Sequence, residues 1–300
     1  MQGFLLLKKP SGMTSFSAVS KIKRLCHEKR VGHTGTLDPM ATGVLPIFLG
    51  RATTLSSLML DGDKRYTARV KLGVSTDTED ITGAVLKTCD VSVTLEQLNE
   101  ALKHFTGKIS QTPPMYSALK KDGVRLYELA RQGKTVDIPA REVTIFNIDL
   151  SAPLDSENCF TIDVLVSKGT YIRSLARDIG EYLGCGATLV ALERTSSCGF
   201  DISECIDLEE LDENNIHNYI VNEENAVKHL RECVITPKQA VRFSNGGQLD
   251  FSRLHIENIA ENELFRVKCN NVFLGIGIAD FENQRLNIKC IINNFKAVEI

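Results

Sequence analysis

The stretch GHTGTLDPMATGVLP, residues 32–46, constrains this chain more than any other segment. Its three glycines permit left-handed backbone or close approach, and its two prolines fix φ, so it reads as a rigid irregular loop. Loops of this kind commonly carry function. It holds a single carboxylate, Asp38, followed by Pro39. An isolated Asp-Pro would only open a turn; a carboxylate inside such a dense run of backbone punctuation is the residue to explain.

Three hundred residues exceed the usual single-domain size and fit one large domain with an appendage or two comparable domains. The hydrophobic fraction of 43% is ample for a buried core. No run approaches the ~20 apolar residues needed to cross a bilayer, and the apolar part of MQGFLLLKKPSG is too short for a signal sequence, so a cytoplasmic protein with no membrane contact is expected. The nine cysteines form no CxxC pair, which favours reduced, mostly buried thiols. The six histidines lack partners at ligand spacing, so no metal is implied.

A net charge of −3 argues at first against nucleic acid, but the average hides a polarity. Residues 201–232 carry ten acidic and two basic side chains, leaving the rest of the chain at +5. Residues 106–134 hold six Lys or Arg against two acids. Such separation is compatible with an anionic partner meeting one face.

Residues 15–26 place Val19, Ile22 and Cys26 at helical spacing. Tyr66, Ala68, Val70 and Leu72 alternate with polar residues as in a half-buried strand, and residues 160–166 suggest a second. Thr94 and Gln97 have capping-box spacing ahead of a stripe of Leu95, Leu98, Leu102 and Phe105. After residues 167–169 a helix carrying Ile172, Leu175, Ala176, Ile179 and Leu183 is expected, which puts Tyr171 and Arg173 at a strand-to-helix junction. Asp207 and Glu210 offer another capping box, opening an acidic helix. From about residue 233 the texture is β: residues 264–269, an Asn270-Asn271 turn and residues 272–278 form a hairpin pattern, followed by 285–292.

Residues 32–46 resemble the catalytic motif of the TruB family of pseudouridine synthases. The resemblance extends through Lys9-Pro10-Ser11-Gly12, Asp63-Lys64-Arg65-Tyr66, Thr76-Asp77-Thr78, the run QTPPMYSALK at 111–120, SKGTYIR at 167–173, and Leu192 with Arg194-Thr195. It implies an α+β pseudouridine synthase fold: a central mixed, mainly antiparallel sheet flanked by helices, plus a small C-terminal β-barrel of PUA-like type. The implied domains are a catalytic unit at 1–232, with a thumb-like RNA-binding insertion at about 106–134, and a PUA-like RNA-binding unit at 233–300. The implied activity is isomerisation of uridine-55 in the tRNA T-loop to pseudouridine, by base flipping, C1′–N1 cleavage, uracil rotation and C1′–C5 bond formation. The family uses no cofactor.

That chemistry needs one reactive carboxylate, a stacking platform and walls that exclude water. The resemblance places Asp38 as the carboxylate; attack at C1′ and removal of the C2′ proton both require it ionised. Arg173 is expected to pair with Asp38 and lower its pKa. Tyr66 matches the stacking tyrosine, and Tyr171 and Leu192 match apolar walls of the pocket. His33 matches the residue that fills the gap left by the extruded base, a task of stacking rather than proton transfer. Lys120, Lys121, Lys9 and Lys168 are expected phosphate contacts. Thr54 and Glu193 stand where the family often carries a basic residue, which bears on RNA affinity and not on chemistry. The expected partner is the tRNA T-arm, bound by a monomer without guide RNA. A guide-RNA-dependent enzyme acting on ribosomal RNA and a binding-only RNA-folding helper are the alternatives; the extended insertion favours the stand-alone enzyme.

Overall fold

The computed structural model describes residues 1–59 and 62–295, so the last five residues of the expected C-terminal unit lie outside the described residues. The first elements are β1 (Gly3–Lys9), α1 (Ser15–Leu25), β2 (Val31–His33), β3 (Thr42–Leu49) and β4 (Lys64–Leu72). A ten-stranded sheet is built on them. Across it run Ile206–Asp207, β1, β3, Ala187–Ser197, β4, Cys159–Val166, Arg141–Ala152 and Gly107–Gln111; β2 pairs with β3, and Phe200–Asp201 with the end of Ala187–Ser197. Most neighbours are antiparallel, while Ile206–Asp207 on β1 and Ala187–Ser197 on β3 are parallel. The sheet is therefore mixed.

Thr14 caps α1 by accepting from the Ser17 amide at 3.0 Å, and Ala18, Val19 and Ile22 are its buried stripe. The expected capping box at Thr94 and Gln97 is present on the helix Leu95–His104. Leu95 departs from the expected stripe: as the first helical residue it is 48% exposed. The helix Ile172–Tyr182 buries Ile172, Leu175, Ala176 and Ile179.

The acidic segment differs from expectation. Asp207 makes no side-chain cap, and short 3-10 turns at Ile202–Glu204, Leu208–Glu210, Ile216–Tyr219 and Glu223–Val227 replace the expected helix. The capping box falls instead on Asp201 and Glu204. The carboxylates of Asp201, Glu204 and Asp212 and the amide oxygen of Asn222 accept from nearby backbone amides and break the run into turns, a competition with helix to which Asp and Asn are prone.

The run FLLL in β1 is buried on both faces. Leu5 and Leu7 join the main core with Ile47 of β3 and Ile22 of α1. Phe4 and Leu6 face the other way, with Phe48, against Phe273, Ile276 and Ile292. Phe273 and Ile276 belong to, and Ile292 directly follows, a five-stranded sheet ordered Arg231–Val234, Leu264–Cys269, Val272–Asp280, Arg285–Ile291 and Leu249–Asp250. The hairpin turn sits at Asn270 and Asn271, both at positive φ (49° and 63°) as a type I′ turn requires. No described helix is long and apolar enough to cross a membrane.

Candidate active site

The loop carrying Asp38 joins β2 to β3, whose strands pair in a hairpin with His33 opposite Ile47. Polar side chains hold it from several directions. Ser15 Oγ donates to the Leu37 carbonyl at 3.1 Å and accepts from the Leu37 amide at 2.9 Å. Arg194, 1% exposed, donates to the carbonyls of Val44 at 2.8 Å and Gly35 at 3.1 Å. The Gly12 amide donates to the Pro39 carbonyl at 2.8 Å. Gly43 has φ +101°, and a Cβ there would lie 2.2 Å from the Arg194 carbonyl oxygen, so both conformation and space demand glycine. The loop is thus rigid by tertiary clamping as well as by composition.

Lys9 belongs to this clamp, contrary to its expected role at a phosphate. It has no exposed surface, and its ammonium donates to the carbonyls of Pro10 and Met13 at 2.7 Å and Pro39 at 3.3 Å. Burial pushes its pKa down to about 8 against the opposing pull of Asp38. A cation enclosed by three carbonyls presents no face to a phosphate.

Asp38 and Arg173 meet as expected. Nε of Arg173 lies 2.9 Å from Asp38 Oδ2, and Nη2 donates to Oδ1 at 3.1 Å. The Arg173 side chain is 4% exposed, while that of Asp38 keeps about a third of its surface (33%). Nη1 donates to the Thr78 carbonyl and Nη2 to that of Tyr116, both at 2.9 Å, and Asp80 Oδ2 stands 3.8 Å from Nη1. Asp80 is itself 5% exposed and accepts from Thr78 Oγ1 and the Thr82 amide at 2.9 and 3.0 Å. The pull of Arg173 on the Asp38 pKa has the expected direction but does not set the net one. Burial, the largest influence, raises it; Arg173 pulls it down, Asp80 pushes it up, and the net direction is upward.

His33 is half-buried, with Nδ1 enclosed and without a hydrogen-bond partner. Burial first and then Arg194 lower the pKa of its imidazole, which favours the neutral form. Tyr66 is 7% exposed near the start of β4, opposite Arg194 on one side and Val164 on the other. It shares the main core with Leu37, Ala41 and Ile172. Leu192, opposite Ala68, borders a cavity of about 520 Å³ whose other walls include Met40, Thr42, Thr67 and Ile81. Met40 and Thr42, close to the Asp38 loop in sequence, line it, but Asp38, Tyr66, Tyr171 and Arg173 do not.

Tyr171 is half-buried beneath the Arg141 guanidinium, 4.9 Å from its ring centroid. Its peptide groups are gripped by Gln111, which accepts from the amide at 2.8 Å and donates to the carbonyl at 3.1 Å. Lys120 and Lys121 are exposed on a short hairpin with Val124–Arg125, and Lys121 donates to the Asp137 carbonyl at 2.8 Å. Next to them, Arg125 and Arg131 lie 5.8 and 5.5 Å from the Tyr127 ring centroid. Lys168 is exposed. Sequence reasoning missed Asp80, Gln111 and Arg141. The Thr76-Asp77-Thr78 run stops two residues short of Asp80, and carbonyl and stacking partners such as Arg141 on Tyr171 leave no pattern in a sequence.

A buried arginine paired with a part-exposed aspartate is the centre that the 32–46 loop and the Ile172–Tyr182 helix build together. The model of the TruB family pseudouridylate synthase N-terminal domain matches residues 23–172, and that of the tRNA pseudouridylate synthase B C-terminal domain matches residues 173–241. The tRNA pseudouridine synthase B of Clostridium perfringens strain 13 is 43% identical over 288 residues, covering 95% of this chain and 98% of that one. The protein of the same name from Microcystis aeruginosa strain NIES-843 is 43% identical over 280 residues, 92% and 94% of the two chains. Among solved structures, the crystal structure of a Cbf5-Nop10-Gar1 complex superimposes with a TM-score of 0.73 at 26% identity, covering 98% of this chain and 84% of that chain. The chain belongs to the TruB family of pseudouridylate synthases.

Proposed function

We propose that this protein converts uridine-55 in the T-loop of tRNA to pseudouridine, with Asp38 as the essential carboxylate. The observation that carries the reading is the Asp38–Arg173 pair: an enclosed cation orients the carboxylate while a third of the Asp38 side chain stays exposed for a ribose to approach. The similarity to proteins named tRNA pseudouridine synthase B supports tRNA as the substrate. The target nucleotide leaves the stack at a cost of a few kcal/mol, and His33, half-buried and with its neutral form favoured, stacks into the gap. Tyr66 supports the uracil while C1′–N1 breaks, the base turns and C5 bonds to C1′; Tyr171 and Leu192 wall the pocket. Reactant and product are isomers, so the chemistry calls for no redox cofactor.

The basic insertion with Lys120 and Lys121, and Lys168 beside the SKGTYIR run, meet phosphates of the T-arm. The chain divides functionally at 1–232 and 233–300, the second part extending the RNA surface as a PUA-like unit. The enzyme acts as a monomer in the cytoplasm without guide RNA.

The test is incubation of the purified protein with an unmodified tRNA transcript, followed by mapping of modified positions. Pseudouridine should form at position 55 alone. Asp38→Asn should bind the transcript with little change and lose at least about a hundredfold in rate, the scale of a missing proton-transfer or nucleophilic group. An Asn variant that still forms pseudouridine, or a wild-type protein that acts only when guide RNA is supplied, overturns the proposal.

A further inference from the structure

Glu79 combines three features that the chemistry above does not use. It is a non-glycine residue at φ +63°, its carboxylate is mostly buried, and its side chain spans to a different element. Ser174 Oγ donates to its Oε2 at 2.7 Å, and Nη1 of Arg177 pairs with its Oε1. Left-handed backbone disfavours a residue with a Cβ, so the turn keeps this shape only where surrounding contacts over-determine it.

The neighbours of Glu79 are the groups that grip Arg173. The Thr78 carbonyl accepts from Arg173 Nη1 at 2.9 Å, and Asp80 stands 3.8 Å from the same nitrogen. Arg177 reaches further still: Nη2 donates to the Thr112 carbonyl at 3.1 Å, at the base of the basic insertion, while Asp178 holds the guanidinium from behind at 2.7 Å. The insertion touches the site again where Tyr116 accepts from Arg173. One helix, Ile172–Tyr182, therefore presents Arg173 to the site and Ser174 and Arg177 to the turn and the insertion.

We infer that Glu79 and Arg177 form a positioning pair that sets the Asp38–Arg173 geometry and ties it to the insertion. Glu79 shapes the turn so that Thr78 and Asp80 aim Arg173 at Asp38. Arg177 joins that turn to the insertion, so a shift of the insertion is felt at the guanidinium on the catalytic carboxylate. Neither residue touches the substrate.

The rate arm of the test rests on the pseudouridylation reading; the exchange arm does not. In single-turnover reactions at saturating tRNA, well below the melting temperature of each variant, Glu79→Ala should slow the reaction about tenfold. It should also move the acid limb of the pH–rate profile to higher pH, because a misaligned Arg173 stabilises the Asp38 anion less. Glu79→Gln, whose one oxygen can still accept from Arg177 while its amide NH2 donates to a reoriented Ser174 hydroxyl, should restore part of the rate. Without substrate, Glu79→Ala should speed amide exchange both in the turn at 76–82 and in the insertion at 111–117, and Arg177→Ala should do the same. A wild-type rate and acid limb in Glu79→Ala overturns the inference, as does faster exchange confined to the turn. A wild-type protein inactive on tRNA, with exchange behaving as expected, overturns the functional reading and leaves the positioning pair standing.

Discussion

Arg173 meets Asp38 with two nitrogens, Nε at 2.9 Å in an ion pair and Nη2 at 3.1 Å in a hydrogen bond, while Nη1 donates to the carbonyl of Thr78 and Nη2 also to that of Tyr116. The guanidinium is thus a junction of the 76–82 turn, the insertion and the Asp38 loop. A lysine supplies charge but cannot satisfy three segments from one rigid plane. Arg173→Lys should reduce the single-turnover rate by at least about a hundredfold, while tRNA binding measured by filter retention stays within about threefold. A variant with near-normal rate would show that charge alone suffices.

Activity should fall as pH drops through the pKa of Asp38, because the chemistry needs the anion. Burial raises that pKa, so the loss should begin above the ~3.9 of an ordinary aspartate. Stability has the opposite sign. A raised folded-state pKa means the native protein keeps the proton over a window where the unfolded chain has released it. Asp38 therefore contributes most below its unfolded pKa, and stability declines as pH rises to the folded value. Glu79 and Asp178 are raised in the same direction, so the difference between wild type and Asp38→Asn isolates the term. Urea unfolding across pH should show a flatter profile in the variant.

Gly43→Ala combines a backbone angle of +101° with a contact of 2.2 Å to a carbonyl oxygen that cannot swing away. The expected cost is about 2 kcal/mol or more. Scanning calorimetry should show the melting temperature lowered by about 5 °C. An unchanged melting temperature would mean that β3 and Ala187–Ser197 can separate freely at this point.

Phe273 fills a core that both sheets share with Phe4, Leu6 and Phe48. Phe273→Ala should cost about 3–5 kcal/mol, read as a lower urea midpoint with an unchanged slope. The two sheets should continue to unfold in one transition. A second transition appearing in the wild-type protein would contradict a common core.

The elements with strong local signals were legible. The Thr94 capping box, the alternation along β4 and the Asn270-Asn271 hairpin each rest on interactions within a few residues, and each is present. The acidic segment was misread because Asp207 and Glu210 have capping-box spacing, yet Asp201 and Glu204 are the pair whose amides and carboxylates meet. Lys9 was misread for a different reason. A lysine beside a proline and glycine looks solvent-facing, and nothing local shows that three carbonyls converge on it.

By itself the sequence determined the rigid loop, the residue types of the site and the family, because these depend on backbone preferences and on side-chain order along the chain. Only the tertiary structure decided how the pieces act on one another. Arg173 meets Asp38 across 135 positions, and the direction of the Asp38 pKa follows from a contest between burial, Arg173 and Asp80. Desolvation and Coulomb energy depend on distance and enclosure in space, which spacing along the chain does not encode.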